Sequence, residues 1–227
     1  MTSGIADRVK TAVEHAPTGS FIRTRDLVTS AYSRGAVDTA LHRLASSGQL
    51  VSIRPGLYFK GQQTRFGPTR PDPITVGMEI ARHRGFLSGV GPAGVSAARL
   101  LGLTSQVPSV DEIAVPGRAP AEPKGIKYRT RSAAGRQELT PTEVAVLELL
   151  RDWPRHSEAT WSEFVSTVAG LCGRGAVNMD RVRVAAGREH HVAARTRANE
   201  LADEVKALPK HQHRDQSSDS GKPELGD

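Results

Sequence analysis

The chain has 227 residues, with 31 Lys and Arg against 24 Asp and Glu, for a net charge of +7. Its apolar runs are far shorter than the roughly 20 residues of a membrane span, and its start lacks the basic, apolar, small-residue order of a secretory leader. A single Cys excludes an intrachain disulfide framework or a cysteine-built zinc site, so a cytoplasmic, basic globular protein is expected.

The charge is unevenly placed. Residues 1–70 hold ten Lys/Arg against four Asp/Glu, 71–140 hold nine against six, and 141–227 hold twelve against fourteen. A polyanion would meet the first third of the chain first.

Ile5 to Ala16 carries Ile5, Val9 and Val13 at every fourth position, an amphipathic helix stopped by Pro17-Thr18-Gly19. Phe21-Ile22 is extended. Thr24 is placed to cap a second helix, with Asp26 in its first turn and Leu27, Val28 and Ala31 facing inward. Tyr32-Ser33-Arg34-Gly35 makes a tight break, and Ser33 caps a third helix over about 34–47. Val37, Leu41 and Leu44 share its inner face with Ala40, while Gly35, Thr39, His42, Arg43 and Ser46 form the outer one. Gly48 ends it. A hairpin follows, Leu50–Ile53 and Leu57–Lys60, around Pro55-Gly56. That pair suits a type II turn, but two-residue hairpins prefer primed turns, so a longer loop stays open.

Three small helices and a hairpin over residues 1–60 predict a winged helix-turn-helix, whose third helix lies in a DNA major groove about 12 Å wide. Arg34, Thr39, His42 and Arg43 are the candidate base-reading residues. Arg23, Arg25, Arg54 and Lys60 are the candidate phosphate contacts, and Ser33 at the cap completes the set. A single reader of this size covers few base pairs, so two copies on an inverted repeat are expected.

Residues 61–73 contain three Pro and two Gly without apolar periodicity and are expected to be a linker or an extended strap that marks the domain boundary. The second domain, 74–208, opens with a helix from Ile74 to about Arg84. Phe86-Leu87 is extended, and a short helix runs from Gly94 to Leu103. Two strands follow, Glu112–Pro116 and Ile126–Arg129, joined by a Gly/Pro-rich loop. Thr140-Pro141-Thr142-Glu143 is a capping box with Pro at the first helical position. Helices are then expected over 141–152, 158–171, 178–186 and 189–207, and residues 209–227 are polar and expected to be disordered. The fold class is α+β and mostly helical: a winged helix-turn-helix, then a mixed α/β and finally helical C-terminal domain.

The chemical motifs are weak. Gly89-Val90-Gly91-Pro92-Ala93-Gly94 matches the spacing of a dinucleotide fingerprint, but only Phe86-Leu87 precedes it and no βαβ rhythm follows, so the glycines read as a close-packed turn. Asp111 with Glu122 and Lys124 loosely matches a metal-dependent nuclease, although Pro123 disfavours a shared strand face. His190 and His191, adjacent on an expected helix, diverge by about 100°. His211 and His213 fall in the tail, and Cys172 reads as a buried structural thiol. No catalytic residue, cofactor or metal is expected.

Gly35-Ala36-Val37, Leu41-His42-Arg43-Leu44, Gly48-Gln49-Leu50 and Arg54-Pro55-Gly56-Leu57-Tyr58 together resemble the N-terminal domain of the abortive-infection E-type (AbiEi-like) antitoxins. The second domain is similar to theirs at Ser96-Ala97-Ala98, Gly102-Leu103-Thr104, Pro108, Ile113-Ala114-Val115 and Leu139-Thr140-Pro141-Thr142-Glu143. The resemblance spans about 5–155 well and 156–208 loosely. It implies a non-enzymatic antitoxin encoded beside a nucleotidyltransferase-like toxin, with a winged helix that binds inverted repeats in its own promoter and a C-terminal domain that counteracts the toxin. The DNA-reading role falls on the third helix and the wing; no motif places the antitoxic surface. A winged-helix transcription factor without a toxin partner is the alternative, and a nuclease using Asp111, Glu122 and Lys124 is a third.

Overall fold

A computed structural model describes residues 4–208; the segment 209–227, with His211 and His213, lies outside the described residues. Nine helices and three small sheets make the described chain a mixed α+β protein.

The first unit contains α1 (Ile5–His15), β1 (Ser20–Arg23), α2 (Thr24–Leu27), α3 (Arg34–Ser46), β2 (Val51–Arg54) and β3 (Leu57–Lys60). Its strands pair antiparallel in the order β1-β3-β2. Val9 and Val13 of α1 meet Val37, Ala40, Leu41 and Leu44 of α3 in a core closed by Ile22, Leu50 and Tyr58. The four-residue spacing on α1 and the Val37/Leu41/Leu44 stripe on α3 thus face one another.

The second helix departs from expectation. It is a single turn, and Thr24 is its first residue rather than its cap. The Thr24 hydroxyl donates to Asp38 on α3, leaving Arg23 as an N-cap without a capping side-chain bond. Val28 is extended at φ −72° and ψ 132°, and both Val28 and Ala31 are exposed rather than inward. The β-branched pair Val28-Thr29 gives the helix little reason to continue, and Thr29 instead bridges to Tyr32.

The hairpin turn has two residues. Arg54 pairs with Leu57 across Pro55-Gly56, and Gly56 has the φ of +78° that the third position of a type II turn needs. The register slips between Ser52 and Arg54, which reconciles a non-primed turn with the twist of the strands.

Residues 61–73 are not a plain linker. β4 (Gln63–Thr64) and β5 (Gly67–Pro68) pair as a small hairpin. Gln63 Nε2 donates to the Gly48 carbonyl at 2.9 Å, tying that hairpin to the C-terminal end of α3.

The second unit has α4 (Pro73–His83), β6 (Gly91–Ala93), α5 (Gly94–Leu100), β7 (Asp111–Pro116) and β8 (Ile126–Arg131). α6 (Pro141–Asp152), α7 (Trp161–Gly173), α8 (Met179–Arg188) and α9 (Val192–Ala207) complete it. The sheet order is β6-β7-β8, with β7 and β8 parallel. The Gly/Pro-rich segment between them is therefore a return path rather than a hairpin turn. Phe86-Leu87 forms no strand. Thr140 and Glu143 form the expected capping box, and Thr160 with Glu163 forms a second that starts α7 later than the periodicity suggested.

The units share a core. Phe21, Ile53 and Leu57 of the first sheet pack with Ile80 and Ala81 of α4, Ile113 and Val115 of β7, and Ile126 and Tyr128 of β8. The largest core lies behind the second sheet, where α6 is almost wholly buried among α5, α7, α8 and α9.

Candidate nucleic-acid interface

Helix α3 begins where the Ser33 hydroxyl accepts from the Ala36 amide at 3.4 Å. Its outer face is open: Arg34, Gly35, Thr39, His42, Arg43 and Ser46 are all exposed, while Val37 and Leu41 opposite are fully buried. Among the described residues, nothing in the C-terminal half of the chain covers this face. Arg34 lies 3.9 Å from Asp38, one turn on, so part of its charge is balanced within the helix. Thr39 donates to the Gly35 carbonyl at 2.9 Å. Arg43 makes no ion pair among the described residues. The groups of this face best placed to hydrogen-bond a base edge are the Arg43 guanidinium and the His42 ring.

Of the expected phosphate contacts, Arg25 is exposed and sits 3.6 Å from Asp26. Two others are committed within the protein. Arg23 donates through Nε at 2.8 Å, and again through Nη2, to Glu79 of α4, whose carboxylate is only 4% exposed. Lys60 donates to the carbonyls of Glu14 and Ala16 at 2.8 and 2.7 Å, closing the C-terminal end of α1. Arg23 answers a carboxylate enclosed by protein, and Lys60 fills carbonyls that the end of α1 leaves without helical partners.

Arg54 also differs from a projecting wing residue. It is half-buried beside the second unit, where its charge acts on His83 and Tyr128. Burial pushes the Tyr128 phenol up to about 12, against the pull of Arg54, and its hydroxyl donates to the Gly77 carbonyl at 2.8 Å. The turn beside Arg54 is drawn in, since the Gly56 carbonyl accepts from the Thr24 amide at 3.1 Å.

Sequence patterning passes over three residues beside α3: Arg65, Phe66 and Arg70. Phe66 occupies the tip of the β4–β5 hairpin and is 85% exposed, with the Arg65 guanidinium 4.6 Å from its ring centre. Phe66 and Arg70 form one wall of a cleft of about 440 Å³, and His42 and Ser46 of α3 form the other. The signal that could have found them is a lone aromatic between cations in a segment otherwise rich in Gly and Pro.

The remaining motifs are engaged in packing. A Cβ at Gly91 would stand 2.5 Å from the Pro141 carbonyl oxygen, and one at Gly89 would stand 2.6 Å from that of Arg136. These glycines let β6 approach the start of α6 and the chain ahead of it, as the close-packed-turn reading expects. Asp111 accepts from the Ser96 hydroxyl at 2.7 Å, and Glu122 accepts from the Tyr128 amide at 2.9 Å. Lys124 lies in the loop before β8. Among the described residues no group of three or more His, Cys, Asp or Glu side chains is gathered to hold a metal. His190 and His191 lie in the break between α8 and α9 rather than on a helix, with His191 accepting from the Ala194 amide at 3.2 Å. Cys172 is half-buried rather than buried, and burial pushes its thiol up, against reactivity.

No family model and no curated protein matches the chain. Among solved structures, that of the RV2827C protein from Mycobacterium tuberculosis is similar at 19% identity and a TM-score of 0.48, over 87% of this chain and 75% of that one. Among the described residues no helix is long and apolar enough to cross a membrane.

Proposed function

We propose that this chain is a DNA-binding antitoxin and autorepressor, in which residues 4–60 act as a winged helix that reads duplex DNA through α3. The observation that carries the reading is the uncovered polar face of α3, held in place by a buried apolar face and presented from the most basic third of the chain. A helix of 13 residues with small and cationic outer side chains fits a major groove, and Arg43 has the fork geometry that pairs with guanine O6 and N7. Two copies on an inverted repeat supply the specificity that one short helix lacks. The antitoxin role, with a nucleotidyltransferase-like toxin as partner, rests on the sequence resemblance to AbiEi-like proteins.

The test is a titration of the full chain on the duplex upstream of its own reading frame. Arg43→Ala weakens specific binding by about 1–3 kcal/mol while leaving binding to unrelated duplex nearly unchanged. Equal affinity of wild type and Arg43→Ala for the upstream duplex contradicts the reading. Co-expression with the adjacent reading frame tests the antitoxin role: growth arrest by that product, relieved by this chain, supports it.

A further inference from the structure

A helix in a major groove is normally steadied by a second element on the flanking backbone, and the short β2–β3 turn is drawn inward with Arg54 half-buried. We propose that the β4–β5 hairpin steadies α3 instead, with Phe66 wedged against stacked bases in the adjacent minor groove and Arg65 and Arg70 holding the neighbouring phosphates. The inference rests on the reading of α3 given above.

Four observations carry it. Phe66 has the highest fractional exposure of the large apolar side chains among the described residues. At a two-residue tip the ring adds nothing to the core and is free to contact a partner, and the cations beside it set it apart from Leu87, which is 81% exposed. Second, the tip is rigid rather than loose. The Thr69 amide donates to the Gln62 carbonyl, the Gln62 amide to the Thr69 hydroxyl and the Thr64 hydroxyl to the Gly67 carbonyl, all within 2.9 Å. A Cβ at Gly61 would stand 2.0 Å from the Thr69 carbonyl oxygen, so only Gly lets the two ends of the hairpin close. The ordering cost of presenting the ring is met before any partner arrives.

Third, residues 61–71 contain Arg65 and Arg70 and no acidic side chain, so the surround of Phe66 complements a polyanion. An apolar wedge flanked by cations is the arrangement by which proteins unstack a base step from the minor groove. Fourth, the hairpin is fixed to the reading helix by the Gln63–Gly48 bond. The cleft between them has His42 and Ser46 on one side and Phe66 and Arg70 on the other. A single sugar-phosphate strand lying in that cleft puts α3 in the major groove and the hairpin in the adjacent minor groove.

The experiment uses the full chain and the duplex upstream of its reading frame, with 2-aminopurine placed in turn at each step flanking the site. Wild type raises 2-aminopurine fluorescence at one flanking step. Phe66→Ala abolishes that rise and weakens binding about tenfold, the loss expected for one stacking contact, with the salt dependence unchanged. Arg65→Ala and Arg70→Ala each lower the slope of log affinity against log salt by about one. Wild-type affinity and an unchanged fluorescence rise in Phe66→Ala, while Arg43→Ala loses specific binding, overturn the hairpin's role and leave that of α3 standing. A Phe66→Ala protein that binds DNA normally but loses suppression of the adjacent gene product also overturns it, in favour of a protein partner. Absence of specific binding by wild type overturns both.

Discussion

His83 ends α4 at the place where three guanidinium groups converge. Among the described residues its buried Nδ1 has no hydrogen-bond partner, and burial, with the charges of Arg25, Arg23 and Arg54, holds its pKa below the ordinary value of 6.5, against the opposite pull of Glu79. The unfolded chain therefore binds a proton at this residue more readily than the folded one. Stability is unaffected well above pH 6.5 and falls as pH drops below it, until the folded-state pKa is passed. His83→Gln removes this titration, so its thermal midpoint declines less than that of wild type between pH 7 and pH 5, as measured by circular dichroism. Parallel declines would mean that His83 is protonated as easily folded as unfolded. The same junction explains the fate of Arg23. Glu79 is almost fully enclosed, and a nearby cation must answer it.

At the scale of elements, an ion-pair chain joins β8, α6 and the break between α8 and α9. Glu148 accepts from Arg131 at 2.7 Å and from Arg136 at 2.6 Å, while Glu189 accepts from Arg136 at 2.5 Å and from Arg151. Arg136 is fully buried, and its Nη1 has no partner among the described residues. Burial acts to raise the pKa of Glu148, but the bond from Arg131 and the charges of Arg136 and Arg131 outweigh it and hold the carboxyl below its ordinary value. Arg136→Ala leaves Glu189 with Arg151 alone and Glu148 with Arg131 alone, each short of one cation in the interior, and costs about 3–5 kcal/mol in denaturant unfolding. A loss below about 1 kcal/mol would show that the chain of charges relaxes onto water. Periodicity cannot see such a network. Glu148 sits inside an apolar helix and Arg136 in an irregular segment, and their pairing depends on contacts among distant parts of the sequence.

For the whole molecule, what the sequence revealed follows from how local each cause is. The α1 and α3 stripes, the Ser33 cap, the Thr140 capping box and the Pro55-Gly56 turn are set by residues within a few positions of one another, and each stands where it was expected. The second helix stands where it was expected but is a single turn, and Thr24 does not cap it because its hydroxyl bonds to Asp38 on another element, a choice invisible to local pattern. The small hairpin within 61–73 was not legible because its order comes from cross-strand bonds and from Gly48, not from apolar periodicity. On α3 the Ser33 cap and the division into a buried and an exposed face were legible, whereas the bonds of Arg23 to Glu79 and of Lys60 to the Glu14 and Ala16 carbonyls were not, since a basic side chain looks the same in sequence whatever it answers. The shared core of Leu57, Ile80 and Ile113 makes the unit that carries α3 part of one continuous body with α4 and the second unit's sheet.

That face is tested most directly by replacing Thr39 with the photoreactive p-benzoylphenylalanine and irradiating the full chain with the duplex upstream of its reading frame. The same replacement at Asp203, exposed on α9, serves as the control. Covalent protein–DNA adducts from position 39 and none from 203 are expected; no adduct from 39, or equal yields from the two positions, would contradict the placement of α3 on DNA.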